Sequence, residues 1–359
     1  MKPIITILIL LLLLSSCLKD EELKLKTVEY QPAELNDGWV LNPVSSTNFN
    51  MDIFNEVMKA VYSNEDFLLV RSLVIVKDGK LMAEAYPRTL DDRDEPHHLW
   101  STTKSFISML TGIAIDKGYI NSVNDSVFTY IPEYMQYAYP ELMPLTIEEC
   151  LTMRSGIDYD NDDWEEEELL ACVPDELTRY IVERPMKAKP GAETFYKNSD
   201  PQLLVKVVST AAKTDLVEFA DQNLFAPLGI TNYHWSRNKD NTPYGGFGLW
   251  LTPRDLAKVG LMLLNNGQYN NHQILSTNYI KEATTAKTVI NEKDYGYLFW
   301  VDDSRRYYWT WGAGGQFIFV VPEKSLVVVI TSEQFADEQN TTFGQARYLV
   351  EKIMEGVKD

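Results

Sequence analysis

Segments with the composition of β-strands lie at both ends of this chain, and segments with the composition of helices fill its middle. The apolar runs 72–76 and 81–86 flank Asp78-Gly79, a dipeptide typical of a two-residue hairpin turn. Three more strands are predicted near the other end, at 306–311, 316–321 and 326–331. When both ends of a chain contribute strands to one sheet, the helices between them form an insertion. The pattern predicts an α+β fold with an antiparallel sheet from both chain ends, flanked by helices, and an inserted helical domain.

The helical pattern is clearest at 101–117, where apolar residues cover most of the helix circumference and Gly118 provides a stop. We expect this helix to be buried. Another helix is predicted after Thr252, which can cap it with Pro253 at the first helical position. From these elements we expect a sheet domain made of 46–118 and 231–359 and a helical insert domain of 119–230.

The N-terminus has the form of a secretory signal, in which Lys2 precedes the apolar run 4–14 and two serines precede Cys17. That run is shorter than the roughly 20 residues that a membrane-spanning helix needs. Because the segment resembles a bacterial lipobox, we expect 1–16 to be a lipoprotein signal peptide and 17–45 to be the lipidated Cys17 and a tether. The alternative is an ordinary secretory signal with an incidental cysteine. The lipoprotein hypothesis places the protein outside the cytoplasm, lipid-anchored to a bacterial membrane at the periplasmic face or the cell surface.

The charge and the residue counts exclude some partners. With 33 Lys and Arg against 52 Asp and Glu, the net charge of −19 disfavours binding to the phosphates of a nucleic acid. The four histidines show no H-E-x-x-H spacing, and neither a metal nor another cofactor is expected. Cys150 and Cys172 either form a disulfide, which an extracytoplasmic location permits, or remain two buried thiols.

A candidate nucleophile lies at the start of the predicted buried helix, in Ser101-Thr102-Thr103-Lys104. A Ser and a Lys three positions apart share one face of a helix, and the helix N-terminus favours developing negative charge. A Lys in an apolar setting can act as a base, which a Ser hydroxyl needs before it attacks. Ser16/Lys19 and Ser236/Lys239 have the same spacing, but neither pair opens a buried helix. The alternative is that Ser101 only caps the helix while Lys104 lies on the surface.

Two further segments carry a resemblance to a known family. Pro190-Gly191-Ala192-Glu193-Thr194-Phe195-Tyr196-Lys197-Asn198 is similar to the P-G-x-x-F-x-Y-x-N segment of the serine β-lactamase and penicillin-recognising enzyme superfamily, in its class C branch. Trp311-Gly312-Ala313-Gly314-Gly315-Gln316 resembles the strand beside the active site in the branch that contains 6-aminohexanoate-oligomer hydrolases and related esterases. The resemblance covers about 45–355. It departs from the usual K-T-G or H-x-G pattern, because Thr310 stands where a Lys or His is usual.

The resemblance implies a β-lactamase/transpeptidase-like fold and a serine hydrolase mechanism. Ser101 would attack a carbonyl and form an acyl-enzyme, assisted by Lys104 and Tyr196. Substrate and oxyanion contacts would come from Asn198, Gly312 and Ala313, together with the backbone N–H of Ser101.

The expected partner is a small ester, amide or peptide. Because Thr310 supplies no cation for a substrate carboxylate, esters or linear amides are favoured. The alternatives are a β-lactamase or D,D-carboxypeptidase, or a non-catalytic penicillin-binding-like lipoprotein.

Overall fold

A computed structural model describes residues 28–63, 69–159, 176–304, 306–333 and 339–357. The predicted signal peptide, Cys17 and Cys172 lie outside these ranges. No helix in the described ranges is both long and apolar enough to cross a membrane.

The α-helices are α1 (Met51–Ser63), α2 (Thr103–Asp116), α3 (Ile147–Leu151), α4 (Leu177–Val182), α5 (Ser199–Ala212), α6 (Leu216–Ala220), α7 (Ala226–Leu228), α8 (Pro253–Leu264), α9 (Thr277–Ala283) and α10 (Gln339–Gly356). A π-helical turn (Asp221–Phe225) joins α6 to α7. Turns of 3-10 helix lie at Val44–Ser46, Leu90–Arg93, Trp100–Thr102, Val127–Thr129, Pro132–Tyr134, Pro140–Leu142 and Pro322–Lys324. The strands are β1 (Val70–Lys77), β2 (Lys80–Ala85), β3 (His97–His98), β4 (Tyr233–Trp235), β5 (Leu249–Leu251), β6 (Gln268–Tyr269), β7 (His272–Gln273), β8 (Thr288–Ile290), β9 (Lys293–Tyr295), β10 (Trp300–Asp302), β11 (Tyr307–Gly312), β12 (Gln316–Val321) and β13 (Leu326–Ser332).

The main sheet has eight strands in the order β2-β1-β13-β12-β11-β10-β9-β8, and neighbouring strands are antiparallel. Strand β1, from the N-terminal part, pairs with β13, from the C-terminal part, with Ile75 opposite Val328. The predicted sheet from both chain ends is therefore confirmed. In the β1–β2 turn, Asp78 and Gly79 have φ angles of 51° and 74°, as a two-residue hairpin with the right-handed strand twist requires.

Both faces of the centre of this sheet are covered. Every residue of β13 is buried, although successive side chains of a strand point to opposite faces. Helix α8 packs against β1, β12 and β13, while α1 packs against β1 and α10. The fit under α8 is close, because a Cβ added to Gly260 would approach Val327 Cγ1 to 2.4 Å.

Helix α2 is almost wholly buried and packs against α5. It ends where the sequence predicts, with Gly118 at a φ of 75°. Its start differs from the prediction, because Ser101 belongs to a 3-10 turn (Trp100–Thr102) and the α-helix begins at Thr103. A second small sheet, β3-β5-β4, lies beside this turn and was not predicted.

The segment before α1 lies along the sheet. The backbone groups of Leu41 and its neighbours bond to Leu81, and Ala33 N–H donates to Glu84 at 2.8 Å. Arg254, buried on α8, donates to Glu84, Asp37 and the Ala33 carbonyl. Within the described part of the predicted tether, residues 33–42 therefore make contacts with the sheet and with α8. The predicted domain boundaries remain predictions.

Candidate active site

The turn that carries Ser101 is held from two sides. Leu99 N–H donates to the Leu249 carbonyl in the small sheet at 2.9 Å. On the other side, Thr102 Oγ1 is hydrogen-bonded to Thr310 Oγ1 at 3.2 Å and lies 3.1 Å from the Gln316 carbonyl, which accepts. The buried Thr310 hydroxyl also accepts from the Ile318 N–H at 3.1 Å. These bonds fix the turn between the small sheet and the β11–β12 hairpin.

The backbone immediately before Ser101 is strained. Trp100 has a φ of 47°, in the left-handed region that residues other than glycine rarely adopt. Its ring packs on His98, with 4.1 Å between centroids, and His98 stacks on Trp250 at 4.6 Å. His98 Nε2 is also hydrogen-bonded to the Phe247 carbonyl at 2.5 Å. This aromatic stack supports the conformation that turns Ser101 toward the cleft.

Gly312 allows β11 to approach the same turn. A Cβ at position 312 would lie 2.1 Å from the Leu99 carbonyl oxygen, so no larger residue fits without a shift of backbone. Beyond it, Gly314 and Gly315 turn the chain into β12 with φ angles of 71° and 94°. Ala313, at the start of that turn, lines the cavity beside Ser101.

Lys104 contacts Ser101 directly. Its Nζ donates to Ser101 Oγ at 2.8 Å and to the Gly246 carbonyl at 2.9 Å, and the residue is only 1% exposed. The same Nζ lies 4.9 Å from the centroid of the Tyr196 ring. A buried cation of this kind favours a neighbouring group that can take or share its proton. The predicted alternative, a surface Lys104, is therefore wrong.

The residues around Tyr196 are anchored in the core. Lys197 is buried, and its Nζ donates to the Ile157 carbonyl at 3.1 Å and lies 3.7 Å from Asp200 Oδ1. Burial raises the pKa of the Asp200 carboxyl, and the Lys197 charge opposes that shift. Because Lys197 points inward, Tyr196 on its other side is left to face the cleft. Asn198 packs against Gly246, where an added Cβ would come within 2.5 Å of Asn198 Oδ1.

Aromatic rings form the wall beside Tyr196. The ring of Trp300 lies 5.7 Å from that of Tyr196, and Tyr295 meets Tyr196 edge to face at 6.3 Å. Burial, followed by the neighbouring Tyr196 and Asp200, raises the pKa of Tyr295 well above its usual range. The cavity enclosed here has a volume of about 110 Å³. It is lined by Ser101, Tyr196, Asn291, Lys293, Trp300, Trp311 and Ala313.

The structure brings most of the predicted site residues together. Ser101, Tyr196 and Ala313 line one cavity, and Lys104 lies beneath it in contact with Ser101. Asn198 and Gly312 are buried behind the wall, where they set the spacing of the elements around it. Sequence reasoning missed Asn291, Lys293 and Trp300. The signal for the first two is weak, because Asn291-Glu292 forms a hairpin turn without the usual glycine.

Other predicted features lie elsewhere. Among the described residues, no group of three His, Cys, Asp or Glu side chains could hold a metal ion. Cys150 has a free thiol in the core, and burial raises the pKa of this thiol well above its usual range. The thiol is therefore suited to packing and not to nucleophilic attack.

Comparison with known proteins agrees with the fold. A family model described as Beta-lactamase matches residues 70–350. Beta-lactamase-like protein 2 of Dictyostelium discoideum is 25% identical over 283 residues, which is 68% of this chain and 50% of that protein. The chain thus spans about half the length of that relative.

Solved structures share the fold at low identity. A Bacillus anthracis structure named for 6-aminohexanoate-dimer hydrolase superposes with a TM-score of 0.74 at 19% identity, covering 92% of this chain and 91% of the other. A family VIII carboxylesterase superposes with a TM-score of 0.69 at 16% identity, covering 91% and 100%. The fold is that of the serine β-lactamase and penicillin-recognising enzyme superfamily, a class of serine hydrolases. Within it, the chain belongs to the beta-lactamase family.

The close approach at Gly312 predicts a defect in Gly312→Ala. The added methyl group would meet the Leu99 carbonyl, so we expect a loss of about 1–3 kcal/mol in the free energy of unfolding. Urea denaturation measures it. Gly344→Ala is the matched control, since an added Cβ on α10 meets nothing within 4 Å and should stabilise the helix by about 0.5–1 kcal/mol. If the two variants were equally stable, β11 would not need the close approach to Leu99 that Gly312 allows.

Proposed function

We propose that this protein is a serine hydrolase that acts through an acyl-enzyme on an ester or a linear amide. The observation that carries the proposal is the 2.8 Å hydrogen bond between Lys104 Nζ and Ser101 Oγ in a buried setting. A Ser hydroxyl is a weak nucleophile until a neighbouring base takes its proton. A cavity of about 110 Å³, lined by Ser101 and Tyr196, supports a small substrate.

In the acylation step, the pair formed by Lys104 and Tyr196 starts with one proton fewer than an ammonium and a phenol carry together. The Ser101 proton passes to this pair while Oγ bonds to the substrate carbonyl carbon. The carbonyl oxygen becomes an oxyanion, for which the backbone N–H groups of Ser101 and Ala313 are the proposed donors. The intermediate then collapses with cleavage of the C–O or C–N bond. The leaving oxygen or nitrogen takes the proton from the same pair, and the acyl group remains on Ser101.

Deacylation repeats these steps with water. The Lys104–Tyr196 pair takes a proton from the attacking water, the ester bond to Ser101 breaks, and Oγ recovers the proton. Acylation and deacylation together add one water molecule across the ester or amide bond of the substrate. The closeness of the Lys104 ammonium to the Tyr196 ring, 4.9 Å from its centroid, supports the two groups working as a unit.

Replacing the nucleophile tests the assignment. Ser101→Ala should abolish labelling by a fluorophosphonate probe and hydrolysis of p-nitrophenyl acetate, because Ser101 is the proposed nucleophile and its hydroxyl is the one that Lys104 contacts. Ser236→Ala is the control, since it has the same spacing to a lysine but lies outside the cavity. Wild-type turnover by Ser101→Ala would exclude this nucleophile. An unreactive wild-type protein would instead favour the non-catalytic binding lipoprotein.

The coupled base predicts non-additive losses. Tyr196→Phe and Lys104→Ala should each lower kcat by about 10²–10⁴-fold, the usual contribution of general acid–base assistance. The double variant should lose far less than the product of the single losses, because residues that act as a unit are non-additive. Steady-state kinetics of the wild type, the two single variants and the double variant on one ester test this prediction. If the two losses multiply in the double variant, Lys104 and Tyr196 have independent roles and do not share a proton.

The lipid anchor is a separate proposal, supported by the sequence around Cys17. Expressed with its signal in a bacterium, the protein should partition into detergent, and Cys17→Ser should release it or block processing. Intact-mass measurement tests this directly, because several acyl chains add a large, defined mass. Several acyl chains also anchor a protein stably. A free thiol at the mature residue 17 would end this proposal and leave the hydrolase assignment untouched.

A further inference from the structure

The cavity contains a cation that the strand motif does not supply. Thr310, which stands where a Lys or His is usual, is buried and bonded to Thr102, so it does not face the cleft. Lys293, on β9 two strands away, lines the same cavity as Ser101. The missing charge is therefore restored from a different element of the fold.

The β8–β9 hairpin holds Lys293 close to the catalytic segment. Thr194, two residues before Tyr196, shares a 2.6 Å hydrogen bond with Thr288 on β8. Tyr295 on β9 packs edge to face on Tyr196, and Lys293 shares its face of the strand because side chains alternate. The hairpin and the Tyr196 segment are thus bound to each other at two points.

Among the residues that the structure describes, the neighbours of Lys293 orient its ammonium without neutralising it. Its Nζ lies 5.8 Å from the centroid of Trp311 and 5.3 Å from that of Phe343, within the range of cation–π attraction. It also donates to the Asn291 carbonyl at 3.4 Å. All three partners are uncharged, so the positive charge remains available to a ligand that enters the cavity. The aromatic rings also reduce the freedom that Lys293 would lose on binding.

We propose that Lys293 receives a carboxylate of the substrate, which makes this enzyme selective for esters or linear amides that carry a negative charge near the scissile bond. This inference rests on the proposed hydrolase function and adds its substrate class. In a chain with a net charge of −19, a cation on the cavity wall is the feature that lets an anion approach Ser101. Asn291, at the rim of the same cavity, can donate its side-chain amide to the second carboxylate oxygen.

The test uses two matched pairs of esters in the full-length protein. One pair has its charge on the leaving group, 4-acetoxybenzoate against its methyl ester. The other has it on the acyl group, mono-p-nitrophenyl adipate against its methyl ester. Wild type should prefer the anionic member of at least one pair, and higher ionic strength should reduce the preference.

Variants then assign the preference to Lys293. Lys293→Met should lower kcat/KM for the preferred anionic ester by about tenfold and change that of its methyl ester by less than about twofold. Lys293→Arg should retain the preference and Lys293→Glu should reverse it. Lys287→Met is the control, because Lys287 lies just before β8, outside the cavity, and pairs with Glu282. Equal losses on both members of a pair, or no preference in wild type, would overturn the proposal and leave Lys293 a packing residue.

A binding experiment distinguishes a failure of the hydrolase assignment from a failure of the carboxylate proposal. If no ester shows turnover that depends on Ser101, the proposed function fails, and carboxylate binding is judged by calorimetry alone. The Ser101→Ala protein should then bind 4-acetamidobenzoate more tightly than its methyl ester, and adding Lys293→Met should abolish the difference. Equal binding of the two ligands would refute the carboxylate site.

Discussion

The docking of one short turn onto the β11–β12 hairpin is the contact on which the candidate site depends. Thr102 bonds to Thr310 and to the Gln316 carbonyl, and Gly312 leaves room for the Leu99 carbonyl. These contacts set the distance between Ser101 and Ala313, which line the same cavity. The candidate nucleophile is thus located by two distant segments rather than by its own helix. A strained Trp100 is tolerated because the surrounding bonds determine its conformation.

The sequence predicts the main elements because each has a strong local signal. The Asp78-Gly79 turn, the apolar strands β12 and β13, and the Thr252 cap of α8 depend on nearest neighbours, and the structure contains all of them. The grouping of Ser101, Lys104 and Tyr196 follows from motif spacing and resemblance. The packing of the segment before α1 is different, because Ala33 in it contacts Arg254, more than two hundred residues away.

What the sequence does not reveal is decided by tertiary contacts. The strands of the small sheet have two or three residues each. They are too short for an alternation of apolar and polar residues to be recognised. Lys293 follows a hairpin turn with positive φ at Asn291 and Glu292, where the sequence lacks a glycine to mark it. A 3-10 turn at Ser101 replaces the expected first turn of an α-helix, and in it the Trp100 ring packs on His98. In the small sheet the partners are far apart along the chain, since β3 pairs with β5.

The pairing of β1 with β13 also has a kinetic consequence. The Ser72 and Thr331 hydroxyls share a 2.6 Å hydrogen bond across 259 residues of sequence, between these two strands. Contacts of such high contact order form slowly, because the loop must close before they add stability. During synthesis the β1–β2 hairpin has an open edge until the last strands emerge, and an open edge invites pairing with other chains. The sheet that supports Ser101 can therefore be completed only after nearly the whole chain has been made.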